Sequence, residues 1–177
     1  MAEDACQRLV ALVAQLAARE LSPRRLLLAL GREAAGVREG PFGLIDLALG
    51  GRDVIIGRGM KPMFDDASRG QVRHFAGVAT STALLGPGLT RRLSVVRGDS
   101  ADSPDGRLSE AAIDFAVELL SRRLAVASAA DWLRTTLCKD PPMWRLLNAP
   151  ERPAERHGIP GRIARRFRAG RSARRGE

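Results

Sequence analysis

The chain has no tyrosine, only two histidines, two cysteines and two tryptophans. Of its 29 basic residues all but Lys61 and Lys139 are arginine. Each shortage excludes something. With aromatics at 4%, the core must be built from Leu, Val and Ala, which suits packed helices better than a sandwich of strands. His74 and His157 are too few for a histidine-rich metal cluster within one chain. Cys6 and Cys138 stand alone with no CxxC spacing. The spacing therefore predicts neither a disulfide framework nor a zinc site, and a reducing cytoplasm is the expectation. GxSxG, Walker A, HExxH and paired CxxC motifs are all missing, so no nucleophile signature and no cofactor is expected. The opening MAEDACQRLV is acidic and amphipathic, unlike a signal peptide. The uncharged window from His74 to Thr90 is 17 residues long but carries three threonines, a serine, a proline and three glycines. It is too short and too polar to span a bilayer.

What is present reads as a globular body. At 177 residues the chain is one domain, or one domain with an appendage. Its 45% hydrophobic content is ordinary, and a chain of this length can bury about 70% of its unfolded surface without a disulfide or metal. Arginine in place of lysine, with abundant Ala and Gly, reads as a GC-rich bacterial coding background.

The stretch around which the rest is organised is Ser68 to Leu85. Val72, Phe75, Ala76, Ala79 and Ala83 lie at helical spacing and form one stripe. Ser68 is the expected N-cap, and Gly86-Pro87-Gly88 the stop. Gly77, Thr80, Ser81 and Thr82 keep the other faces small, which lets neighbouring backbones approach and predicts a central place in a bundle. Arg73 and His74 would then enter the interior near the helix start. An unpartnered charge there costs on the order of 3–5 kcal/mol, so Arg73 should be paired.

Residues 3–20 predict an amphipathic helix with Cys6, Leu9, Val10, Val13, Leu16 and Ala17 inward. Ser22-Pro23 opens a second helix running to about Ala35. Its five successive apolar residues, Leu26 to Leu30, predict burial on more than one side. The pair does not read as a DNA-binding helix-turn-helix, because only Arg24 and Arg25 precede the apolar run. Leu44 to Leu49 is a short helical segment, and Asp53 to Ile56 is the single candidate strand. Gly57-Arg58-Gly59-Met60-Lys61-Pro62 opens like GxGxxG but has Pro62 at the third glycine, so a flexible connector is expected rather than a nucleotide loop. Asp65-Asp66 could place charge near the next helix's N-terminus.

Arg91 to Asp105 reads as the longest polar loop. Asp99, Asp102 and Asp105 are weak metal candidates: their spacing does not alternate as an EF-hand requires, and Ala112 holds the position of its closing Glu. The tripeptide Arg97-Gly98-Asp99 is short enough to arise by chance. A second long helix runs from Leu108 to about Ala127, with Glu118 and Arg122 spaced to pair. Ser128 and Asp131 open a last helix carrying Trp132, Leu133 and Leu137.

From Ala149 the composition shifts. Residues 151–177 hold nine arginines against three glutamates, which is +6 of the net +9. Seven of them, Arg162, Arg165, Arg166, Arg168, Arg171, Arg174 and Arg175, are the expected anion-binding set. With Phe167 alone among them as an aromatic, contact would be phosphate-driven and poor in sequence specificity.

The expectation is thus a mainly α chain: a compact helical bundle of about five to seven helices over residues 1–149, at most one short β element near 52–56, and a basic C-terminal extension over 150–177. The preferred function is a non-catalytic interaction or regulatory module meeting an anionic partner, nucleic acid or an acidic protein surface, through that extension. The alternative is a small hydrolase or toxin-like effector acting on a phosphodiester or glycoside. There His74 would move a proton, Asp114 or an acid of the 99–105 loop would orient it, and Arg73 would hold an anionic group.

Overall fold

The computed structural model describes residues 4–38, 40–96, 100 and 102–140, all within the unit Met1–Asp140. Seven helices and no strand occur among these described residues. Helix α1 (Ala5–Ala17) is capped by Asp4, whose Oδ1 accepts from the Gln7 amide at 3.1 Å. Its expected stripe is inward: Cys6, Leu9, Val10, Val13 and Leu16 are buried. Helix α2 (Pro23–Ala35) starts on Ser22-Pro23 and ends at Gly36, whose φ of +62° satisfies the helix end in the left-handed region. Helix α3 (Pro41–Ala48) follows.

Helix α4 (Gln71–Leu85) is the hub, packing chiefly against α2 and helix α6 (Pro104–Leu120) and also touching α1 and helix α5 (Pro87–Val96). Its expected stripe of Val72, Phe75, Ala76, Ala79 and Ala83 is buried. The small faces do what their size allows. A Cβ at Gly31 of α2 would lie 2.2 Å from Thr80 Oγ1 of α4, and that hydroxyl donates to the Leu27 carbonyl at 3.0 Å. The two backbones therefore meet with no room for another methyl group. On the other side of α4, Phe75 meets Phe115 of α6 with ring centroids 5.6 Å apart. Phe115 in turn meets Trp132 of helix α7 (Ala129–Leu137) at 5.1 Å. This tilted row ties α4, α6 and α7 into one core and favours edge-on aromatic contact.

Several local expectations are corrected. Ser68 is not the N-cap of α4. Gly70 holds that place, and Ser68 Oγ, two residues earlier, accepts from the Gly70 amide at 3.3 Å. Asp53 to Ile56 forms no strand: only Ile55 of the four is buried, and no neighbouring strand completes its ladder. The glycine-containing 57–61 segment is pinned rather than flexible. The Ala5 amide donates to the Arg58 carbonyl at 2.7 Å, Lys61 to Leu137 at 2.7 Å, and Lys139 to Gly59 at 2.9 Å. Gly59 sits at φ +128°, and a Cβ there would stand 2.0 Å from Asp4 Oδ1. The region from Arg91 is not wholly a loop, since α5 extends to Val96. Its buried face is polar, Thr90 and Ser94, while Leu89, Leu93, Val95 and Val96 are exposed. That inversion hides the helix from a hydrophobic reading. Glu118 pairs with Arg123 at 2.9 Å rather than with Arg122, because α6 ends at Leu120 and the helical spacing no longer applies.

The largest correction concerns the cysteines. Cys6 of α1 and Cys138, just past α7, form a buried disulfide with Cα atoms 5.5 Å apart. They are separated by 132 residues, so no local spacing announces the pair. The 57–61 strap lies against both partners' segments, forming isolated bridges Asp4–Arg58 and Met60–Cys138. Among the described residues no helix is long and apolar enough to cross a membrane.

Candidate functional site

The first turn of α4 gathers the polar groups singled out in the sequence. Its N-terminal cap, Gly70, offers no side chain, so the segment before the helix supplies the acceptors. Gln71 is buried, and its amide Nε2 donates to Asp66 Oδ1 and, at 3.4 Å, to Asp65 Oδ1. Burial alone would push the Asp66 carboxyl up. Hydrogen bonds from Ser68 and from Gln71 outweigh that and hold it below its ordinary value. Asp65 also meets Lys139 at 3.7 Å.

Arg73 lies on the outward side of the same turn. Its Nε stands 3.3 Å from Asp53 Oδ1 and its Nη1 3.3 Å from Asp53 Oδ2, with both side chains more than one-third exposed. A fork on a carboxylate is the pairing expected of an arginine at this place. An exposed pair of this kind stabilises by only about 0–1 kcal/mol.

His74 points the other way. Its Nε2 is 2.8 Å from Ser109 Oγ of α6, and Ser109 is only 2% exposed. The contact spans the most extensive helix–helix seam of the body, α4 on α6. A small hollow of about 100 Å³ lies beside it, lined by Leu47, Gly50, Gly51, Arg73, His74 and Gly77 among others, and no carboxylate is among its described lining residues. Chemically, the arrangement holds an imidazole in one orientation through a hydroxyl. The same distance would also suit a base and a nucleophile, but here the hydroxyl is covered.

The other residues expected to join this site lie elsewhere. Asp114 is 66% exposed and stands 3.9 Å from Arg91, whose Nε is held more closely by Glu110 at 3.0 Å. It follows Ser109 by five residues, so on an α-helix it lies about 140° away around the axis. Asp105 is in the first turn of α6, after Ser103, whose Oγ caps the helix by accepting from the Gly106 amide at 3.0 Å. Asp102 is exposed just before it, and Asp99 lies outside the described residues. Among the described residues no group of three or more His, Cys, Asp or Glu is placed to hold a metal ion. The seven tail arginines from Arg162 to Arg175, and His157, also lie outside the described residues.

Sequence reasoning missed Ser109 and Asp53. Ser109 carries a readable signal, because it falls three residues before Ala112 and seven before Ala116, on the buried stripe of α6. A hydroxyl on a core stripe calls for a partner from the opposing helix. Asp53 carries no such signal, since it reaches Arg73 from an irregular segment 20 residues away. Compared with protein-family models, with curated proteins and with solved structures, the chain matches none.

Proposed function

We propose that the protein is a non-catalytic interaction or regulatory module that meets an anionic partner, nucleic acid or an acidic protein surface, through its arginine-rich C-terminal segment. One observation carries this reading: residues 151–177 hold nine arginines and three glutamates, two-thirds of the net charge of the whole chain. The body supports it by pairing many of its charges internally, Arg73 with Asp53, Arg91 with Glu110 and Arg123 with Glu118. The test is the binding of labelled duplex DNA and of an acidic polypeptide by the full chain and by a variant with Arg165, Arg166 and Arg168 changed to Gln. If about six arginines engage duplex phosphates, affinity should fall ~10³-fold between 50 and 200 mM salt, with a shallower slope in the variant. Unchanged affinity and slope in the variant would reject the reading.

A second reading keeps the small hydrolase, because His74 Nε2 lies at base-to-nucleophile distance from Ser109 Oγ. It requires Ser109 to be uncovered. Hydrolysis of a phosphodiester or glycoside that His74→Ala abolishes, in a variant that still folds, would favour it.

The cytoplasmic placement rested on unpaired cysteines. With Cys6 and Cys138 joined, the chemistry instead favours an oxidising compartment, where such bonds persist. A thiol count on protein taken from its native source decides: two reactive thiols restore the cytoplasmic reading, and none supports the oxidising one.

A further inference from the structure

A wide concavity of the body lies at the opposite end of α4 from His74. It encloses about 770 Å³, within the roughly 300–1,000 Å³ range of pockets that hold a small organic ligand. Its walls come from one face of α2, from the loop leading into α3, and from the last turn of α4. On α2, Arg25, Leu28, Ala29 and Arg32 follow i, i+3, i+4, i+7, so they share that face. Leu21, Val37, Leu84 and Leu85 complete an apolar lining. Thr80 also lines it, but its hydroxyl is committed to the Leu27 carbonyl. The run Leu26 to Leu30 is now explained. Leu26, Leu27 and Leu30 are fully buried, while Leu28 is half-buried and faces the cleft.

The rim is cationic. Arg19, Arg25, Arg32 and Arg38 all line the cleft. Three of them are steadied by acids: Arg19 by Glu33 at 2.9 Å, Arg32 by the same Glu33 oxygen at 3.5 Å, and Arg38 by Asp46 at 2.8 Å. Arg38 makes the firmest of these, with its backbone amide and Nε both 2.9 Å from Asp46 Oδ2. Those bonds pull the Asp46 carboxyl down to about 2. Among the described residues, four guanidinium groups at the rim meet two carboxylates, an excess of positive charge. Arg25, exposed, is ion-paired with none of the described residues.

We propose that this cleft binds an amphiphile with one anionic head, an alkyl carboxylate or alkyl phosphate, its apolar body on Leu28 and Leu84–Leu85 and its head on Arg25. Charge complementarity selects this occupant. A neutral apolar molecule offers Arg25 no counter-charge. The chain's own tail repeats the sign of the rim, and a nucleic acid has no apolar body to fill the lining. A single anionic head at the mouth satisfies both halves of the cleft, and a charge-assisted hydrogen bond to arginine is the stronger kind.

The probes are dodecanoate and dodecyl phosphate below their micelle concentrations, with dodecanol as the neutral counterpart, titrated into the full chain by calorimetry. Saturable one-to-one binding of at least one anion is expected. Arg25→Glu should weaken it about tenfold or more, the scale of one lost hydrogen bond to a charged group. Arg25 is exposed and ion-paired with none of the described residues, so that variant is expected to fold. Leu28→Trp, which fills the cleft, should also abolish binding, and dodecanol should bind more weakly than the anions. Preference for one anion identifies the head. No binding of either anion, equal binding of dodecanol, or unchanged affinity in Arg25→Glu would each overturn the proposal. Loss of binding on changing Arg165, Arg166 and Arg168 to Gln, with Arg25→Glu unchanged, would move the amphiphile to the tail and overturn it too. The DNA measurements above stand or fall separately, because the cleft variants leave the tail intact.

Discussion

The two ends of α4 solve opposite problems. At its start, polar side chains are turned onto partners: Gln71 onto Asp66, Arg73 onto Asp53, His74 onto a covered Ser109. At its finish, Leu84 and Leu85 face a large open cleft whose rim, among the described residues, has more cations than acids. The residue types invite the reverse assignment, since histidine and arginine suggest chemistry and leucine suggests core. On the proposed reading, the polar side chains at the start serve packing, whereas apolar surface left uncovered beside an arginine ion-paired with none of the described residues is where a ligand gains most.

Breaking the frame that holds both ends should have the largest effect. Replacing Cys6 and Cys138 by Ala frees a crosslink between residues 132 apart in sequence. It should lower stability by about 2–5 kcal/mol, measured by urea denaturation with and without reductant. Both ends of α4 should suffer alike, because the bond lies on the α1–α7 seam. Next, Gly31→Ala forces a methyl group onto Thr80 where α2 and α4 meet. A loss of about 1–3 kcal/mol is expected from overpacking, with amphiphile affinity reduced as the cleft walls shift.

The sharper contrast is between single residues at the two ends. His74→Ala takes a partner from buried Ser109, and should cost about 1–3 kcal/mol of stability while amphiphile binding is kept. Arg25→Glu should do the opposite, changing stability within about 0.5 kcal/mol, as exposed substitutions do, while weakening the ligand. Equal effects of the two variants on both readouts would erase the distinction between the ends.

The smallest effect is a pH dependence. The Asp46 carboxyl is held at about 2 in the folded chain against an ordinary 3.8. A lowered folded value means that its contribution is present above about 3.8 and is lost as the pH falls through about 2. Carboxyl titration by NMR should place Asp46 below the ordinary carboxylate value, and Arg38→Gln should return it towards that value.

Much of the frame was legible because it rests on periodicity. The stripe Val72, Phe75, Ala76, Ala79 and Ala83, the stripe of α1, and the Ser22-Pro23 start all follow from spacing that a helix imposes locally. What was not legible depends on distance in sequence or on inversion. The disulfide joins residues with no shared motif, Asp53 meets Arg73 from irregular chain, and α5 buries Thr90 and Ser94 while showing its leucines to solvent. The cleft left half a trace. Leu28 in an over-long apolar run, between Arg25 and Arg32 on one helical face, marked a second surface on α2, but its opposite wall comes from Leu84 and Leu85 more than 50 residues later.

The most direct measurement follows amide and side-chain resonances of the full chain as dodecanoate is added. The account predicts that shifts cluster at Arg25, Leu28, Leu84 and Leu85 while His74 and Ser109 stay still. Shifts centred on His74 and Ser109, with the α2 face unmoved, would contradict it.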